Sequence, residues 1–582
     1  MAEAEVDFNV DVQMRDGVDL ATDVYQPEGE GPHPTLVHRV AYDKADAVVT
    51  GGVMFNPLEA VKNGYAVVIQ DIRGRYESEG GWYPIRNESE DGYDTVEWAA
   101  DQPWSNGRVG IYGSSYMGIT TWQTVAADPP HLEAAMPYIS GTDYHDGGIY
   151  TGGALELGFS TWWLIFNLAF DSLSRLDLPE EEAQDAKRAL VRATMAPDEV
   201  VETLPLTDIE AFDRGVAPYW YEWLENPSYG EYWEETDVNA QAENISVPIL
   251  HVAGWYDQHL VGHLDIFERI KEDASEVARE NQHFIAGPWT HEQYVSATPT
   301  KAGDKELGVS APAGRHFISD RAFEWFDHWL KQGGADELDM PTVSYFVIND
   351  DRWREAPDWP PDHAPTEYYL HSDGNANTRH GDGRLSRQRP GSEPRDSYEF
   401  DPLDPVPTEG GRVIMPNLAT DGMQDQSDIE EREDVLVYTS PRLTSNLTVA
   451  GPVDVTLYAA SSAPDTDFTA KLVDAPPDGY CGNVAEGIIR GRYRNGRREP
   501  EFMDDEDVHE FPIDLWATGY TFERGHRIRL EISSSNFPRF DRNPNTTQNP
   551  ANATEADMQS ATQNVVHTDE YPSHITLPVL DE

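Results

Sequence analysis

The chain has 582 residues, 39% hydrophobic and 11% aromatic, enough apolar material for two or three packed domains and too much for a disordered acidic protein. Its 105 acidic side chains face only 42 basic ones, a formal net charge of −63 dispersed through ordinary globular sequence. Such a surface repels phosphates and excludes a nucleic-acid partner. The reading it favours is adaptation to molar salt, where repulsion is screened within a few ångströms and carboxylates stay hydrated. The acidity then describes a halophile's habitat, not a chemistry. A single cysteine, Cys481, rules out an intrachain disulfide. The first residues, MAEAEVDFNV, carry neither a basic nor an apolar signal region, and no apolar run approaches membrane-spanning length, so a cytoplasmic chain without membrane contact is expected.

In chain order, strands are expected at Val18–Tyr25, Thr35–Arg39, Tyr65–Gln70 and Val109–Tyr112, and helices at Pro57–Asn63 and Glu90–Ala100. This alternation predicts a mostly parallel sheet with helices on its faces, an α/β core. From about 143 to 242 the strand signal disappears, tryptophan and tyrosine are dense, and Glu180–Met195 reads as a helix; a helical cap inserted into the core accounts for this. Buried-strand character resumes at Pro248, followed by a helix at Val261–Glu272, a strand at His283–Ala286 and a helix at Asp320–Lys331. The Pro-, Asp- and Gly-rich stretches 358–365 and 374–391 read as linker. Beyond them, short strands at Val435–Thr439, Val453–Ala459, Asp467–Val473, Ala485–Tyr493 and His526–Ile532 predict a β-sandwich or jelly roll. The expected division is 1–142 with 243–360 as core, 143–242 as cap and 361–582 as jelly roll.

The sharpest motif is Gly113-Ser114-Ser115-Tyr116-Met117-Gly118, between the apolar run Val109–Tyr112 and a helix-compatible stretch, Ile119–Ala127. A serine on a tight strand-to-helix turn is pushed out of the sheet, and the helix N-terminus beneath it favours developing negative charge. The second glycine falls one place later than in G-x-S-x-G, so an ordinary turn is an equal reading of this motif alone; Ser114 is the rival nucleophile. Downstream, the strand Val247–Tyr256 ends in Asp257, and His283–Thr290 ends in His291. Serine, acid and histidine in that order, each at a strand's carboxyl end, is the α/β-hydrolase arrangement. His291 would exchange the Ser115 proton and Asp257 would orient the imidazole.

With these motifs on the page, the sequence resembles the cocaine esterase-like branch of the X-Pro dipeptidyl-peptidase family, which includes the α-amino acid ester hydrolases. The resemblance rests on Tyr42-Asp43-Lys44, Asp71–Arg75, Asp91–Trp98, Gly113–Gly118 with its late glycine, Gly254–Asp257, Gly287–His291, and Asp465–Phe468, Glu486–Arg490, Gly525–Arg529 and Ser533–Pro538. It implies an α/β-hydrolase core with a C-terminal jelly roll, and an oxyanion hole made by the Tyr116 backbone N–H and the Tyr42 hydroxyl. Asp71 and Arg73 read as a structural ion pair behind the site. The acidic residues that α-amino acid ester hydrolases carry two and three places after the triad aspartate are His259 and Leu260 here, which argues against a cationic α-amino substrate. His259 also stands where the esterase branch has an aromatic residue. Trp162, Trp163 and Phe166 are candidates for an acyl pocket, with the cap core as the alternative. His259 and His263 have i, i+4 spacing but lack the H-E-x-x-H glutamate, so no metal is expected. The acids around Asp425–Asp434 read as solvated surface.

The expectation is a cofactor-free serine hydrolase that cleaves a small acyl ester, with a short peptide as alternative substrate and the oligomeric state open. A dipeptidyl-peptidase is the alternative enzyme, and a carbohydrate-binding or scaffolding protein the alternative outside catalysis.

Overall fold

The computed structural model describes residues 4–29, 31–46, 56–291, 293, 301–308, 311, 315–331, 338–504 and 507–581. Ten strands form the central sheet: β1 (Ala4–Gln13), β2 (Asp19–Pro27), β3 (His33–Val40), β4 (Ala66–Asp71), β5 (Ser105–Ser114), β6 (Leu132–Tyr138), β7 (Ile249–Tyr256), β8 (Gln282–Thr290), β9 (Val343–Val347) and β10 (Arg352–Ala356). Their order is β1-β2-β4-β3-β5-β6-β7-β8-β9-β10. The stretch from β4 to β9 is parallel throughout, and β1, β2 and β10 add antiparallel edges. β4 and β7 are buried along their whole length, as runs of Val, Ile and Leu covered on both faces require.

Helices α1 (Pro57–Lys62), α2 (Glu88–Ala100) and α3 (Ser115–Ala126) follow β3, β4 and β5. Asn56 caps α1 through the Leu58 N–H, and three acids in the first turn of α2 complement its dipole. Between β6 and β7 the chain leaves the sheet. It forms α4 (Leu157–Trp163), a π-helical turn over Leu164–Leu168, α5 (Ala169–Arg175), α6 (Glu180–Met195) and α7 (Pro218–Glu225). This is the helical cap. A short hairpin, Tyr150–Thr151 with Ala154–Leu155, precedes it. Helices α8 (Leu260–Asp273) and α9 (Arg315–Leu330) complete the core. One face of the sheet packs on Trp122, Ile266 and Ile270, and the other continues through Trp325 and Phe326 into the cap.

The C-terminal β-rich domain is an eleven-stranded, mainly antiparallel assembly. Two expectations are corrected there. The linker-like stretch 374–391 supplies the short strand Arg384–Ser386, and a second strand, Ala364–His371, runs mainly between the two stretches with its last four side chains buried. In the acidic segment expected to be solvated, Glu430 is fully buried and held by Arg529 and Arg379.

Buried ion pairs tie this domain to cap and core. Arg539 joins Glu156, at the start of α4, to Glu486 on the strand Gly482–Arg490. Arg490 pairs with Asp467 and Asp541, each at 2.8 Å, and Asp541 exchanges hydrogen bonds with the Leu155 backbone. Arg412 donates to the carbonyls of Trp255 and Ala517, both at 2.9 Å, so the end of β7 is braced from the C-terminal domain.

Candidate active site

β5 runs into α3 without a connecting loop, and the joint falls on Ser115. Its φ of +53° is a conformation a non-glycine residue holds only when its surroundings impose it. Small neighbours make room: a Cβ on Gly113 would lie 2.2 Å from the Met117 carbonyl oxygen, and one on Gly118 would lie 2.5 Å from Cβ of Ser140. The late glycine of the motif therefore serves the contact between α3 and the end of β6, and Met117 needs no glycine because its backbone already lies over Gly113. Ser114 is fully buried at the end of β5, whereas Ser115 is partly exposed.

The ends of β7 and β8 bring Asp257 and His291 to this turn. His291 Nε2 lies 3.1 Å from Ser115 Oγ, and His291 Nδ1 lies 2.9 Å from Asp257 Oδ2. Asp257 is fully buried. Burial alone would raise its pKa, but the charge and hydrogen bond of His291, with the His259 backbone N–H at 2.7 Å, more than offset this and hold it below the usual carboxylate range. A carboxylate facing Nδ1 fixes the tautomer with its proton there and leaves Nε2 as the base toward Ser115.

Tyr42 follows β3 and is half-buried beside the turn. Its hydroxyl accepts a hydrogen bond from Trp163 Nε1 at 2.8 Å, and its ring meets Tyr116 edge-on at 6.5 Å. The Tyr116 N–H lies in the first turn of α3, where backbone N–H groups have no intrahelical acceptor. The Tyr116 side chain points away from the turn: its hydroxyl donates to Glu88 at 3.1 Å, and Glu88 pairs with the buried Arg39 at 2.8 Å.

Of the aromatic candidates, Trp163 is buried against Phe159, Trp223 and Tyr116, and reaches the site through Tyr42. Trp162 instead stacks on Phe166 at 6.2 Å, both half-buried on the cap. The His259 ring lies between Phe159 and His291, 5.7 and 5.4 Å away. Burial pushes His259 down to about 4 and His263 down to about 3, so both are neutral near pH 7. His263 Nε2 accepts the Ser140 N–H at 3.2 Å, a role incompatible with a bound metal on that nitrogen. Among the described residues no group of three His, Cys, Asp or Glu side chains is placed to hold a metal ion.

The expected Asp71–Arg73 ion pair does not form. Arg73 pairs with Asp91 and Asp16, and Asp71 accepts the Lys44 N–H and faces its ammonium at 3.6 Å. The reason is strand geometry: Asp71 ends β4 pointing toward the loop after β3, whereas Arg73, two residues on, has left the strand. Two contributors escaped the sequence reading. Arg75, fully buried, donates to the carbonyls of Ala41, Asn167 and Leu168 and pairs with Asp171 at 3.2 Å. It thus ties the residue before Tyr42 to the π turn after Trp163. Its signal was its place in the Asp71–Arg75 motif. Asp421, from the C-terminal domain, has its pKa raised by burial, against the lowering effect of the Thr290 hydroxyl and of His291.

Residues 16–293 match the family described as X-Pro dipeptidyl-peptidase (S15 family), and 337–576 match the X-Pro dipeptidyl-peptidase C-terminal non-catalytic domain. Cocaine esterase of Rhodococcus sp. (strain MB1 Bresler) is 37% identical over 578 residues, covering 98% of each chain. The chain belongs to the cocaine esterase-like branch of the S15 family. It is a hydrolase of the α/β-hydrolase fold. An aminopeptidase from the marine sediment archaeon Thaumarchaeota archaeon superimposes with a TM-score of 0.83 at 27% identity, covering 100% of this chain and 97% of that one. An α-amino acid ester hydrolase does so with a TM-score of 0.79 at 26% identity, again over 100% and 97%. No helix among the described residues is long and apolar enough to cross a membrane.

Proposed function

We propose that this S15-family hydrolase cleaves carboxylic esters through a covalent acyl-enzyme on Ser115. His291 Nε2 takes the hydroxyl proton as Oγ attacks the acyl carbon. The negative charge that forms on the acyl oxygen is met by the Tyr42 hydroxyl and the Tyr116 N–H, at the positive end of α3. As the C–O bond to the alcohol breaks, His291 returns the proton to the leaving oxygen. Water then attacks the acyl-enzyme by the same route in reverse, and Asp257 holds the imidazole and stabilises its charged form throughout. The single observation that carries this reading is the continuous hydrogen-bonded line from Asp257 through His291 to Ser115. Trp163, with Phe159 and His259, is proposed to wall the acyl side; Trp162 joins the cap core.

For the substrate, the two positions after Asp257 that would face an α-amino group are His259, neutral near pH 7, and Leu260, fully buried. An uncharged acyl group suits this pocket better than an α-ammonium. The family model described as X-Pro dipeptidyl-peptidase favours a second reading, an aminoacyl or dipeptidyl substrate. Rates on p-nitrophenyl acyl esters beside Ala-Pro-p-nitroanilide separate the two. Turnover of the esters without the anilide is expected, and preferred turnover of the anilide would replace the first reading with the second. The division into core (1–142 and 243–360), cap (143–242) and jelly roll (361–582), a cytoplasmic location and the salt-adapted surface belong to the same proposal.

A further inference from the structure

The acidic surface is interrupted on the C-terminal β-rich domain. There, a groove of about 620 Å³ is lined by Arg384, Arg389 and Arg527, with Ser386 and Gln388 among them. Arg490, Arg492, Arg529 and Arg539 of this same domain each hold a carboxylate. Among the described residues these three groove arginines form no ion pair. Arg527 donates to the Ser440 carbonyl, at 2.7 Å, and burial first, then the like charges of Arg442 and Arg529, push its pKa down. The one acid in the lining, Glu393, is engaged by His371 Nδ1 at 2.8 Å and by the Ser372 N–H at 3.2 Å. The groove therefore gathers three guanidinium groups beside one engaged carboxylate, at a site sharing no residue with the triad or its neighbours.

We propose that this groove binds an oligoanion, a ligand with two or more carboxylate or phosphate groups. Guanidinium forks recognise either group bidentately, and two or three of them around one groove suit anionic groups spaced along a short chain. The net charge of the protein works against long-range attraction, and in molar salt the field reaches only about 3 Å, so recognition is by contact. Contact recognition by unpaired forks is what the lining provides.

Isothermal titration of the full chain, in the lowest KCl that keeps it folded, tests this with tripolyphosphate and with tri-galacturonate. Saturable one-site binding of at least one probe is expected. Arg384→Gln and Arg527→Gln should each weaken it about tenfold, the worth of one charged hydrogen-bonding partner. Arg192→Gln, on the cap, should leave it unchanged, and ester turnover should be the same in all three variants. Binding of tripolyphosphate alone assigns a phosphate ligand, and binding of tri-galacturonate alone a carboxylate one. Absence of saturable binding by either probe, or groove variants that bind like the parent, overturns the proposal. Arg384 is exposed and, among the described residues, its side chain forms no hydrogen bond or ion pair, so its variant tests the site without disturbing the fold.

Discussion

Asp257 lies two residues beyond Trp255, whose carbonyl the Arg412 guanidinium braces, yet the charge systems on the two sides of this point work in opposite ways. At the seam between cap, core and C-terminal domain, Arg539, Glu156, Glu486, Arg490, Asp467 and Asp541 are all buried and each is paired with opposite charge. Removing any one leaves a stranded charge, so the arrangement has a single state. At the triad, one buried carboxylate faces an imidazole that can gain and lose a proton, and the nearby histidines are kept neutral by burial. Pairing gives rigidity and the titratable line gives chemistry. The second depends on the first, since Glu156 starts α4 and α4 carries Trp163 to Tyr42.

The comparison breaks most sharply at Ser115. Ser115→Ala should lower kcat by about 10⁴-fold or more and abolish labelling by a fluorophosphonate probe, with no loss of Tm. Labelling that survives would remove Ser115 from the nucleophile's role. At the seam, Arg539→Leu leaves Glu156 and Glu486 unpaired in the interior and should cost about 3–5 kcal/mol, read as a lowered denaturation midpoint in molar KCl. A midpoint like the parent's would mean that the seam tolerates slack. Tyr42→Phe removes one oxyanion donor and should lower kcat by about 10²–10³-fold with little change in KM. A change confined to KM would make Tyr42 a binding residue instead.

The smallest effect tests the neutral histidines. His263 is held at about 3 against 6.5 in the unfolded chain, so the unfolded state binds the extra proton between those values. The stability this provides is complete above pH 6.5 and is lost as pH falls toward 3. His263→Gln keeps an acceptor for the Ser140 N–H and should flatten the decline of stability by up to about 1.4 kcal/mol per pH unit between pH 6 and 5. Parallel curves for the two proteins would show that this ring is not the proton acceptor.

The parts of this molecule that could be read from its sequence are those where one residue's environment is set by its own strand. β3, β4, β5, β7 and β8 are runs buried on both faces, and Ser115, Asp257 and His291 sit at their ends, so pattern and position sufficed. β1 escaped because an edge strand alternates with exposed polar residues. The strand His509–Phe522 escaped because half of its first residues are exposed. Trp162 and Trp163 are adjacent and chemically alike, and only the phase of α4 decides which one reaches Tyr42. Arg75 and Asp421 could not be assigned because their partners lie far away in the chain, and Asp71 and Arg73 were paired on adjacency when strand direction sends them apart.

The π turn at Leu164–Leu168 acts as a phase shifter. A π turn holds one residue more than an α turn, so everything after it is rotated by about 100° relative to an uninterrupted helix. That rotation sets Asp171 toward Arg75 and opens the Asn167 and Leu168 carbonyls to the same guanidinium. Excising a single residue here would restore a regular helix and turn Asp171 off its partner while leaving Trp163 upstream in place. One-residue length changes at this turn are thus a means of re-aiming half the cap without touching a catalytic side chain.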